Sequence, residues 1–113
     1  MTTKLSKGEN AALRELASEA WELELHGALE ELFEDFCSWA DNGYSSSELS
    51  ERIHQFHNGT SRELYRRYTG LPPLVAVARA VAVGVMDEAA LPPAIQEKIA
   101  DEIEAQRRIF DTD

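Results

Sequence analysis

The thirteen residues from Leu74 to Met86 constrain the fold more than any other part of the chain. They carry one charge, Arg79, in a sequence otherwise dense with charge. Crossing a bilayer takes about 20 apolar residues, so the run is too short to span one. A segment apolar on every side belongs in a protein interior. Valines at 75, 77, 81, 83 and 85 would also suit a buried strand. The pair Pro72-Pro73 instead supplies a helix start, and the run is long for a strand. The expectation is a buried Ala/Val-rich helix from the prolines to about Ala89.

Upstream, no proline interrupts Glu9 to Asp41 and the only glycine is Gly27. This predicts a long N-terminal helix closed by Asn42-Gly43. Its apolar residues form two faces rather than one. Leu13, Leu16, Ala17, Ala20, Leu23 and Gly27 share one side at 100° per residue. Trp21, Leu25, Ala28, Leu29, Leu32, Phe33, Phe36, Trp39 and Ala40 centre roughly 150° away. A monomeric surface helix needs one apolar face. The helix is therefore buried on both sides, broken near Gly27, or shared with a second subunit. We expect the last, a homodimer through Leu13, Leu16, Ala20 and Leu23, with the richer aromatic face on the chain's own core.

Ser45 and Glu48 have capping-box spacing and open a second helix. Asn58-Gly59 would permit a break, yet Leu49, Ile53, Phe56, Thr60, Leu64, Tyr68 and Leu71 stay in phase if the helix continues. An interior glycine costs only about 1 kcal/mol, so continuity to about Thr69 is expected, with a bend allowed. Leu91-Pro92-Pro93 repeats the proline device before a last helix with Ile95, Ile99, Ile103, Gln106 and Phe110 along one side. The expected fold is all-α, a four- or five-helix bundle. Residues 1–8 read as a flexible lead-in to a single helical domain over residues 9–111, a length that suits one core.

The formal net charge of −10 disfavours nucleic acid, whose recognition relies on Lys and Arg neutralising phosphates. It disfavours an anionic membrane equally. Cys37 is the only cysteine, so no intrachain disulfide can form, and no basic-then-apolar leader is visible. A cytoplasmic location follows as the expectation. Charge is also segregated. Glu9 to Glu51 hold twelve acids and one base, Arg14, whereas Arg52 to Tyr68 hold four arginines and one acid, Glu63. Opposite segments of this kind are expected to face each other, within a subunit or across a dimer.

Glu51 and His54 form a Glu-x-x-His step that resembles part of the ligand set of ferritin-like carboxylate proteins. The resemblance implies a metal site, but Leu49, Ile53 and Phe56 define the buried face and turn both residues away from it. Arg52-Ile-His-Gln-Phe-His57 resembles the Arg-x4-His pattern of the HEPN ribonucleases, which are small helical dimers. That resemblance implies Arg52 and His57 as a catalytic pair cleaving RNA through its 2′-hydroxyl. The chain departs from the family at Ile53, where a polar residue is common.

Arg62, Tyr65, Arg66 and Tyr68 form a cluster of the residue types enriched at interface hot spots. Arg79 must reach solvent or find a partner, because an unpaired buried charge costs several kcal/mol. A carboxylate of the long helix is its expected partner, and an anionic ligand the alternative. No serine-histidine-aspartate set, glycine-rich phosphate loop or zinc-ligand spacing occurs. The functional expectation is a small acidic interaction module that binds an as yet unknown protein partner, without a cofactor.

Overall fold

The computed structural model describes residues 4–110, and among them the regular elements are all helical. Helix α1 spans Lys7–Ala40. Ser6 caps it reciprocally: its Oγ accepts the Glu9 N–H at 3.0 Å, and the Glu9 carboxylate accepts the Ser6 N–H at 2.8 Å. The helix therefore starts two residues inside the expected lead-in, and residues 1–3 lie outside the described part. At its other end Asn42 takes φ 64°, and the N–H groups of Asn42 and Gly43 return to the carbonyls of Trp39 and Ser38. A Cβ on Gly43 would stand 3.0 Å from the Ser38 carbonyl oxygen, which explains the glycine there.

Ser45 caps α2 (Ser46–Gln55), its Oγ accepting the Glu48 N–H at 3.1 Å. A π-helical segment, Phe56–Ser61, joins α2 to α3 (Arg62–Gly70). The chain thus remains helical through Asn58-Gly59, as the unbroken stripe implied, and the wider turn absorbs the irregularity. Leu49 and Leu64 are buried along this rod, whereas Ile53 and Thr60 are exposed.

Helix α4 covers Pro73–Ala82 and stops well short of the expected Ala89. Gly84 adopts φ 85°, and the N–H groups of Gly84 and Val85 bond back to Val81 and Ala80, a Schellman closure. The apolar run therefore turns after Val83, and Met86 folds back against the core. A 3₁₀ turn, Glu88–Ala90, leads into α5 (Pro93–Phe110).

The main core lies at one end of the molecule. Leu13 and Ala17 of α1 meet Ala76, Val77, Ala78 and Val81 of α4, with Leu91, Ile95, Ile99 and Ile103 completing the cluster. The small residues let α1 and α4 approach closely. This corrects the expected dimer face. Leu13 is 1 % exposed and Ala20 fully buried within their own chain, Leu16 packs on the same core, and only Leu23 stays open, at 51 %. A residue already covered by α4 and α5 has no surface to offer a second subunit.

Beyond Ala20, α1 leaves this base and runs antiparallel to the α2–α3 rod as a two-helix arm. Trp39 meets Ser46, Asp35 meets Arg52 and Glu24 meets Arg67, so rising numbers on one helix match falling numbers on the other. The molecule measures 57 × 32 × 23 Å, with a radius of gyration of 17.3 Å. A compact chain of this length would have about 13 Å. The arm accounts for the difference.

Candidate functional site

The junction of arm and base is organised by Glu24. Leu13, Ala17, Ala20 and Glu24 follow one helical line, so the carboxylate occupies the next position of the buried stripe. One of its oxygens accepts Arg79 at 2.8 Å and the other accepts Arg67 at 3.0 Å. Its side chain is only 12 % exposed. Arg79 thus has the expected partner on the long helix, and its guanidinium also sits 5.7 Å from the Phe110 ring centroid. Three helices are tied together here, and Arg79 is engaged within its own chain.

Trp21 closes the same junction. Its ring stacks on Tyr68 at 6.3 Å and meets Tyr65 edge-on at 5.8 Å. The Tyr68 hydroxyl is buried without a hydrogen-bond partner among the described residues. Burial first, and then the nearby Glu24 charge, push its pKa up to about 12. Of the expected binding cluster, Tyr68 and Arg79 are therefore parts of the junction, while Arg62, Tyr65 and Arg66 are exposed. Arg67, the neighbour of that cluster, makes a partly buried pair with Glu24.

Along the arm the second apolar face of α1 meets α2–α3 only at its edge. Ala28 and Leu32 turn towards Phe56, Thr60 and Arg52 across a groove of about 170 Å³. Leu29, Phe33 and Phe36, at i, i+4 and i+7, remain open, with Phe33 66 % and Leu29 46 % exposed. The sequence assigned this face to the chain's own core. The rod is too narrow to cover it, because one helix can shield only one flank of another.

Which side of the arm these residues occupy follows from the ion pairs. Arg52 meets Asp35 at 3.4 Å on the groove side, and Arg67 meets Glu24 on the same side. In an antiparallel pair, stepping 100° past Arg52 turns Ile53 towards the opposite side, where Leu29, Phe33 and Phe36 stand. Tyr65, two residues before Arg67 and about 160° from it around the helix, shares that side. Ile53 and Tyr65 are both exposed. Ser18, Trp21, Glu22 and Leu25 line a shallow depression of about 200 Å³ at its inner end. The result is one continuous open face, apolar along its middle.

The residues singled out for chemistry are not brought together. Arg52 lies 4.3 Å from the Tyr44 ring centroid and pairs with Asp35. His57 stands five residues on, inside the π-helical segment, and is exposed. Glu51 accepts a hydrogen bond from Gln55 at 3.5 Å, and both Glu51 and His54 are exposed. Among the described residues no three His, Cys, Asp or Glu side chains converge as a metal site would require. Likewise, no helix among them is long and apolar enough to cross a membrane. Comparison with known proteins returns no match: no family model, no curated protein and no solved structure corresponds to the chain.

Proposed function

We propose that the chain is a small acidic interaction module that acts by docking a protein partner on the open face of its arm. The observation that carries this reading is the line Leu29, Phe33 and Phe36, large apolar side chains exposed together on one face of α1. Isolated surface hydrophobics are ordinary, but a contiguous apolar patch framed by charge marks an interaction surface. Anchors at i, i+4 and i+7 are the spacing with which helices lie in one another's grooves. The net charge of −10 disfavours nucleic acid as the ligand. The exposed free thiol of Cys37 suits a reducing compartment such as the cytoplasm.

A ribonuclease reading has no support from Arg52, which pairs with Asp35 and lies against the Tyr44 ring. Affinity capture with the wild-type chain and with Phe33→Asp tests the proposal. A partner retained by the first and lost by the second is the expected result. Equal recovery by both would remove the arm's face from consideration.

A further inference from the structure

The open face has two edges of opposite sign. On α1, Glu22 stands in line with Leu29 at the inner end of the face, and Glu19, one turn away, lies toward its outer edge. On α3, one step outward from Tyr65 reaches Arg66, with Arg62 one turn away. Among the described residues none of these four charges has an ion-pair partner within the chain. The arginines and acids that do pair across the arm, Arg52 with Asp35 and Arg67 with Glu24, lie on the opposite side. An acidic edge and a basic edge therefore flank an apolar centre, and both are unmatched.

Building on the docking role of this face, we propose that its occupant is a second copy of the chain. The two arms run parallel about a two-fold axis along their length. Each α1 then lies against the α2–α3 rod of the other copy, making an intermolecular four-helix bundle. Charge decides the axis. Rotation about the arm's length brings the acidic edge of each copy onto the basic edge of the other. Rotation about an axis across the arms brings acid onto acid and base onto base. A uniformly basic partner helix would satisfy Glu19 and Glu22 but meet Arg62 and Arg66 with like charge.

The extent is sufficient. About 22 residues of α1 at 1.5 Å each, and two helix widths of about 10 Å, give a footprint of roughly 650 Å². Stable interfaces bury about 800 Å² per partner, which includes the corrugation such a footprint omits.

Sedimentation equilibrium of the full chain at micromolar concentration tests this. The wild type sediments at twice the chain mass, and Phe33→Asp sediments as a monomer with unchanged helical circular dichroism. Arg62→Glu with Arg66→Glu weakens association about tenfold, and adding Glu19→Arg with Glu22→Arg restores it. Association unchanged on reversing the arginines alone, as expected where like edges face each other across a transverse axis, would overturn the parallel arrangement. A wild type that is monomeric throughout, or a dimer indifferent to Phe33→Asp, would overturn the second copy as occupant. If Phe33→Asp still abolishes capture of another protein by a monomeric wild type, the docking face stands and only its occupant is wrong. If the substitution affects neither experiment, both fall.

Discussion

Glu24 and Arg79 meet at 2.8 Å where the arm leaves the base, joining the middle of α1 to the middle of the Ala/Val-rich α4. With Arg67 on its second oxygen, this carboxylate holds two guanidiniums in a largely covered site. Removing it strands both. Glu24→Ala is expected to destabilise the fold by roughly 1–3 kcal/mol, below the full figure for a buried pair because the arginines keep some exposure. The measurement is urea unfolding followed by circular dichroism. Arg79→Met should cost less than Glu24→Ala, since it leaves the Glu24–Arg67 pair in place. The reverse order would mean that Glu24 is not the hub.

Tyr68 supplies a pH test. Its pKa is raised from about 10 in the unfolded chain to about 12, with burial the first cause. A raised pKa favours the neutral phenol in the folded state. The associated stability is complete below pH 10 and is lost as pH rises from about 10 to 12. Ultraviolet titration of the three tyrosines should therefore show one ionising late, and Tyr68→Phe should remove that step.

Gly84 ends α4 with φ 85°, and no atom lies within 4 Å of the position a Cβ would take. Steric room is thus not the constraint; backbone conformation is. Gly84→Ala should cost about 1 kcal/mol, the ordinary penalty for a side chain in the left-handed region. Gly27→Ala, on α1 with equal room and helical backbone, should stabilise by about 0.5–1 kcal/mol. Thermal unfolding of the two variants reads the difference directly.

Local signals were legible wherever a short pattern decides the matter. The Ser45 cap, the Asn42-Gly43 stop and the proline starts are set by neighbours a few residues away. Gly84 carried such a signal too, but the apolar run around it invited a longer helix. Continuity through Asn58-Gly59 was readable because the stripe stayed in phase, although the π-helical turn that carries it has no marker of its own. Arg79's partner class followed from charge burial. Glu24 itself could have been found, because it extends the line of Leu13, Ala17 and Ala20, and a carboxylate in a buried stripe demands a cation.

The two faces of α1 were visible and their roles were exchanged. Counting apolar area favoured the aromatic face as the core. The small residues decided otherwise: Ala17 and Ala20 on α1, with Ala76, Ala78 and Ala80 on α4, allow an approach that larger side chains prevent. Which faces find each other depends on shape complementarity between distant segments, and periodicity along one helix does not record it.

That exchange can be measured by truncating one residue on each face. Leu13 is enclosed among α4 and α5 residues, so Leu13→Ala removes transfer energy and leaves a cavity, a loss of about 2–5 kcal/mol. It should not depend on protein concentration. Phe33 touches solvent over two thirds of its surface, so in an isolated chain Phe33→Ala should change stability by less than about 0.5 kcal/mol. Where the arm's face is covered by a second copy, the wild type gains stability with concentration by mass action, and Phe33→Ala loses that gain. Unfolding midpoints of wild type, Leu13→Ala and Phe33→Ala at two concentrations a hundredfold apart separate these cases. A concentration-dependent midpoint abolished by Phe33→Ala and retained by Leu13→Ala places association on the arm. A dependence that Phe33→Ala leaves intact places it elsewhere.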